Sequence, residues 1–244
     1  MRILVVSAHS ADFCSRSGGT IAKHVRDGDE VRIVCLSYGE RSESGGLYAD
    51  GAKPPLEEVK EIRRQEATRA ADILGAEIRF LNWGDLSFGY TPERIKRLSE
   101  EVRAFRPDFL LTHHGPDPRS MDHDTTWRLA ERATQLASAP GLESELPPTR
   151  RPLVFLFEAT IPLTEMEGFN PDLYLDVTDV WDTKVEALKA FERAQGFLLP
   201  WYTRVAERRG AQAATLSGCS AIKYAEAFER SRPWVGKRLP TNEL

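Results

Sequence analysis

The stretch that decides the fold is Ile3-Leu4-Val5-Val6-Ser7-Ala8-His9-Ser10-Ala11-Asp12. Its four leading apolar residues, three of them β-branched, show no polar alternation. A short run of that kind reads as a strand buried on both faces of a parallel sheet. The loop leaving it carries an imidazole and a carboxylate three residues apart, and Gly18-Gly19-Thr20 then opens a helix. In open α/β sheets ligands bind outside the carboxyl ends of the strands, where this loop falls. His9 and Asp12 are zinc-type ligands, but two are too few for a site.

Working outward, the same alternation of strand and helix continues. After the first strand (residues 3–7) and a helix over about 18–26, Val31-Arg32-Ile33-Val34-Cys35-Leu36 reads as the second strand, followed by a polar, glycine-containing loop over 37–55. Leu56, Val59, Ile62, Ala70, Ile73 and Leu74 mark a long amphipathic helix closed by Gly75. Ile78-Arg79-Phe80-Leu81 is a third strand. Thr91-Pro92-Glu93 starts a helix with proline at its first position, and that helix stops before Pro107. Phe109-Leu110-Leu111-Thr112 and Leu153-Val154-Phe155-Leu156-Phe157 are the fourth and fifth strands, separated by a helix carrying Trp127, Leu129 and Ala130. From Val180 the pattern turns helical through Phe191, Phe197 and Leu198, and the tail around 224–234 reads as helix and loop. This rhythm predicts a Rossmann-like α/β architecture: a mostly parallel sheet with helices on both faces, in a single domain over 1–244 with a helical C-terminal extension from about 180.

Composition narrows the partners. With 33 Lys and Arg against 37 Asp and Glu, the net charge of −4 argues against a general affinity for nucleic acid or an anionic membrane. No apolar run approaches the length needed to span a bilayer. Cys14, Cys35 and Cys219 are odd in number and far apart, with no zinc-knuckle or redox spacing, which favours a reducing compartment. No hydrophobic leader is legible before the first strand, so the expected location is the cytoplasm.

Three loops at strand ends carry the reactive groups: His9 to Asp12; Tyr38-Gly39-Glu40-Arg41-Ser42-Glu43-Ser44; and His113-His114-Gly115-Pro116-Asp117-Pro118-Arg119-Ser120-Met121-Asp122-His123. Taken singly, each has an ordinary explanation as a solvated or hydrogen-bonded loop. Yet three of the five histidines fall in one of these loops and a fourth in another. Two histidines and an aspartate with an open fourth position describe a catalytic zinc site rather than a structural one.

These motifs resemble the PIG-L/LmbE-like zinc enzymes, mostly deacetylases of N-acetylglucosamine derivatives. The family's first loop reads Ala-His-Pro-Asp-Asp-Glu and a later one His-x-Asp-His; this chain has Ala8-His9-Ser10-Ala11-Asp12-Phe13 and Ser120-Met121-Asp122-His123. Gly39-Glu40, Arg64-Gln65-Glu66, Ala70-Ala71 and Leu74-Gly75 extend the resemblance. It implies that His9, Asp12 and His123 bind Zn2+, another divalent metal being an alternative. The family's general-base aspartate is Ala11 here, and its oxyanion-stabilising histidine is Ser120. The metal ligands persist while two groups needed for amide hydrolysis do not.

A narrower resemblance, to the 4-oxalomesaconate hydratase branch, rests on His9-Ser10-Ala11-Asp12-Phe13 and Leu36-Ser37-Tyr38-Gly39-Glu40-Arg41-Ser42-Glu43-Ser44. Tail segments support it: Tyr202-Thr203-Arg204-Val205-Ala206, Arg209-Gly210-Ala211-Gln212-Ala213 and Ile222-Lys223-Tyr224-Ala225-Glu226-Ala227. Enzymes of that branch add water to a carbon–carbon double bond in the catabolism of gallate and related aromatic acids. Their Phe-Glu-Pro-His-like segment after the fifth strand is Phe157-Glu158-Ala159-Thr160-Ile161-Pro162 here, which leaves the exact polycarboxylate open.

The implied mechanism is hydration of an unsaturated oxo-di- or tricarboxylate. Glu40 or Glu43 serves as base, and Asp122 orients His123 or a neighbouring ligand. Arg41, Arg16 and Arg119, with His114 and Ser120, are candidates for substrate contact, guanidinium being the natural partner of carboxylate. Two alternatives remain: a deacetylase or amidase of an N-acyl metabolite, and a degenerate metal-binding subunit. The resemblance also implies a homo-oligomer.

Overall fold

The computed structural model describes residues 1–86, 88–158, 166, 168–233 and 235–236. Seven strands, β1 (Arg2–Ser7), β2 (Glu30–Cys35), β3 (Glu77–Phe80), β4 (Phe109–His113), β5 (Leu153–Phe157), β6 (Leu173–Asp176) and β7 (Ala225–Arg230), form one sheet in the order β3-β2-β1-β4-β5-β7-β6. β1 to β5 are parallel, with Val5 of β1 opposite Ile33 of β2 and Leu111 of β4. β7 runs antiparallel to both β5 and β6. The sheet is therefore mostly parallel, and the chain reverses its direction of travel between β1 and β4. A crevice opens there at the carboxyl ends.

The alternation of β1 explains the two-sided burial. Ile3 and Val5 face a core built with helices α1 (Asp12–Arg26), α2 (Leu56–Leu74), α5 (Trp181–Lys189) and α7 (Leu198–Ser217). Leu4 and Val6 face a second core, on α3 (Pro92–Phe105) and α4 (Met121–Ala137). The short α6 (Glu192–Gln195) completes the helices, and 3-10 turns occupy Gly45–Gly51 and Thr178–Val180. Thr91 caps α3, its side chain accepting from the Arg94 N–H, with Pro92 at the first turn; Gly75 ends α2 with φ +76°. Among the described residues no helix is long and apolar enough to cross a membrane.

Two expectations differ from the structure. The first helix begins at Asp12, not near Gly18, and breaks at Ser17 (φ −138°, ψ 16°). The Gly18-Gly19 signal therefore marks the start of its second half. Gly19 is required there by crowding, since a Cβ would stand 2.7 Å from Val177 Cβ. The tail expected as helix and loop instead contains β7, which joins the sheet beside β5. It carries two glutamates and an arginine among its six residues, and Glu226 is buried because it accepts from the Gly19 N–H (2.8 Å), the Thr20 N–H (2.7 Å) and Lys184 Nζ (2.6 Å). Ala159 to Pro162, including Thr160, lie outside the described residues, as does Trp234.

Candidate metal centre

Backbone pairing carries three loops to one point. Beyond β1 and β2, the Leu36 N–H donates to Ser7 O and the Ser37 N–H to Ala8 O, both 2.9 Å, so His9 emerges beside the loop that follows β2. That loop turns back at Gly39 (φ +67°), whose carbonyl accepts from the Glu43 N–H (3.0 Å) and Ser44 Oγ (2.8 Å). A Cβ at Gly39 would lie 3.0 Å from Glu43 Cβ and 3.2 Å from His9 Cβ, so the turn that delivers Glu43 needs glycine. Asp12 sits in the first turn of α1, and one of its oxygens accepts the His9 N–H at 2.8 Å. Asp122 and His123 lie in the first turn of α4, whose N-cap Ser120 accepts from the His123 N–H at 3.3 Å.

The ligand atoms of His9, Asp12, Glu43 and His123 all fall within 4.8 Å of one another. His9 Nδ1 is 3.4 Å from Asp12 Oδ2 and 3.2 Å from Glu43 Oε1; His123 Nε2 is 3.5 and 3.7 Å from the same two oxygens. Both nitrogens are buried and lack hydrogen-bond partners. Their opposite nitrogens are claimed by carboxylates: His123 Nδ1 by Asp117 Oδ2 at 2.7 Å and His9 Nε2 by Asp122 Oδ2 at 3.2 Å. Carboxylates placed behind the rings in this way orient metal-ligating histidines. Arg16 Nη1 holds the other oxygen of Asp12 at 2.5 Å. The His–carboxylate spacings of 3.2–3.7 Å suit an ion held by His9, Asp12 and His123 at bonds of about 2 Å, with Glu43 beside the remaining position. Two open imidazole nitrogens facing two carboxylate oxygens fit a zinc-type divalent ion.

The electrostatics agree. Burial pulls His123 down, but the Asp12 charge, the hydrogen bond with Asp117 and the nearby Asp12 and Glu43 carboxylates outweigh it and leave the ring up at about 9. Burial likewise opposes protonation of His9, yet Glu43 and its other carboxylate partners hold it well above the usual value. Asp12 and Glu43 are pushed towards protonation by burial and held as carboxylates chiefly by Arg16 and His9, respectively. His113, stacked on His123 at 4.1 Å, is driven the other way, to about 3, by burial and the His123 charge. Its Nε2 accepts the Ala8 N–H at 3.1 Å.

His9, Asp12 and His123 are thus brought together, joined by Glu43. Glu40 is buried outside the group, with Oε2 3.3 Å from the Tyr38 N–H. Asp122 stands behind His9, and it is Asp117 that stands behind His123. Arg16 is buried and committed to Asp12 and the Glu158 carbonyl (3.0 Å). His114 is buried 3.5 Å from Glu229 and packed on Phe169. The Arg41 side chain is exposed. Arg119, also exposed, lines a cavity of about 370 Å³ with Ser42, Leu86, Ser120, Met121 and Asp122. Sequence reasoning quoted Asp117 without giving it a role; its one signal is a carboxylate six residues before His123 in a proline-flanked turn.

Comparison with known proteins bears on this centre. Residues 4–134 match the profile of PIG-L, described as GlcNAc-PI de-N-acetylase. The chain is 40% identical over 239 residues, 97% of its length and 91% of the relative's, to a 4-oxalmesaconate hydratase of Pseudomonas putida. The crystal structure of GalB, the 4-carboxy-2-hydroxymuconate hydratase of Pseudomonas putida KT2440, superposes with a TM-score of 0.91 at 39% identity, covering 98% of this chain and 99% of that one. A mycothiol S-conjugate amidase of Streptomyces coelicolor is 28% identical over 70% of this chain and 62% of its own.

Proposed function

The chain belongs to the PIG-L family, and on that premise we propose that it is a metal-dependent hydro-lyase. In this reading it adds water to the double bond of a 4-oxalomesaconate-like unsaturated oxo-polycarboxylate during breakdown of aromatic acids such as gallate. The observation that carries the reading is the near full-length likeness to a hydratase. The site is consistent with it. Ala11, where the deacetylase pattern has its base, is a methyl group 1% exposed in the apolar core. Among the described residues, Glu43 is the further carboxylate of the centre.

His9, Asp12 and His123 would hold the metal, zinc by its donor set, which when bound supplies Lewis-acid polarisation of a carbonyl conjugated with the alkene. The chain's own residues do the rest. Asp122 and Asp117 fix the two rings, and Arg16 fixes Asp12. Glu43, held ionised, accepts a proton from water as the water oxygen bonds to the distal alkene carbon. The alkene electron pair moves towards the conjugated carbonyl, and Glu43 returns the proton to the carbon adjacent to that carbonyl. Arg119, with Ser120 in the adjoining cavity, is assigned to a remote carboxylate of the substrate. The reading takes the enzyme as a cytoplasmic homo-oligomer.

The test is an ultraviolet assay of zinc-loaded protein with 4-oxalomesaconate, run beside an N-acetylglucosamine derivative. Loss of alkene absorbance is expected, falling by about 10²–10⁴-fold in Glu43→Gln. Acetate release without alkene loss would overturn hydration in favour of the deacetylase alternative.

A further inference from the structure

The turn after β3 touches both sides of the centre. Its backbone is strained: Asn82 (φ +50°), Gly84 (φ +74°) and Leu86 (φ +62°) are left-handed within five residues, and two of them carry side chains. Such a turn persists only where its surroundings over-determine it. Here two carboxylates do so. Asp85 Oδ2 accepts from the Arg41 N–H (2.9 Å), the Ser42 N–H (2.6 Å) and Ser42 Oγ (2.7 Å). Asp122 accepts from the Leu86 N–H at 3.0 Å and the Phe88 N–H at 3.2 Å, through the carboxylate that also meets His9 Nε2. Outside, Arg94 covers the Trp83 and Phe88 rings and donates to the Gly89 carbonyl at 3.1 Å.

From this geometry we infer that Asp85 is a positioning residue for Glu43: it grips the two residues immediately before Glu43 and sets that carboxylate against the metal ligands. The inference rests on the reading of Glu43 as the base. Two consecutive backbone N–H groups converging on one carboxylate oxygen form an anion nest, and bonds to a charged acceptor are about twice as strong as neutral ones. Glu43 itself is 20% exposed, and its other anchor is the turn at Gly39. Without Asp85 the segment before it has lost three bonds, and a displacement of about 1 Å in a reacting group costs up to about 10²-fold in rate.

The experiment is a double-mutant cycle with purified, zinc-loaded protein and the 4-oxalomesaconate assay. Asp85→Ala should lower kcat about 10- to 100-fold while KM stays within about threefold and bound zinc remains stoichiometric. Added to Glu43→Gln, it should change the rate by less than about twofold, because it acts through a carboxylate already removed. Asp85→Asn, which keeps an acceptor for both N–H groups, should recover kcat to within about fivefold of the parent. Should Asp85→Ala not fold, Ser42→Ala removes one of the three bonds, and its smaller loss of kcat must likewise vanish in the Glu43→Gln background. Multiplicative losses, loss of zinc in Asp85→Ala, or an Asp85→Asn variant as impaired as Asp85→Ala would each overturn the inference. Full hydration by Glu43→Gln would instead overturn the reading of Glu43 as base, and this inference with it.

Discussion

His123 shows how much a single ring can record. One nitrogen is bound by Asp117 and the other points, unpartnered, at Asp12 and Glu43. On the proposed reading, a proton held there to about pH 9, and another on His9, would have to leave for a metal to bind. Zinc titration of metal-free protein near neutral pH should therefore release protons, seen as a heat that varies with the buffer's ionisation enthalpy, and zinc affinity should rise with pH. The sign for folding is opposite. His123 is raised above its unfolded value, so its contribution to the metal-free protein is fully present below about pH 6.5 and is lost as pH climbs through about 9. Denaturation of the metal-free protein across that window measures it. That His9, Asp12 and His123 would meet was legible because such side chains show as residue type in loops after strands. Asp117 and Asp85 were not, because a carboxylate whose partner is a ring or a backbone N–H leaves no pattern of its own.

Elements were readable wherever burial imposed a period. β1 is the clearest case, its residues alternating between two cores, so Leu4→Ala removes packing from the α3–α4 side alone. With Leu4 fully buried, that change should cost about 2–5 kcal/mol in urea denaturation with little change in m-value. Capping chemistry was equally plain at Thr91, Pro92 and Gly75. α1 was read short because Gly18-Gly19 resembles a helix start. What carries the helix across its break at Ser17 is a side chain from the far end of the sequence, and no window around residue 18 contains it.

At the scale of the whole molecule, the parallel half of the sheet was legible and its antiparallel edge was not. β7 reads Ala-Glu-Ala-Phe-Glu-Arg, with three charged residues in six and no apolar period, and that polar composition hides a strand whose first four residues are buried. Glu226 shows what that strand does, closing the second half of α1 and neutralising buried Lys184. Glu226→Ala leaves that ammonium buried and two N–H groups unbonded, and should lower stability by about 3–5 kcal/mol, read as a fall in Tm. The bond from Gly19 to Glu226 spans 207 residues. For a polypeptide leaving the ribosome, the bonds that close the second half of α1 cannot form until β7 has emerged, long after the helix itself has been made.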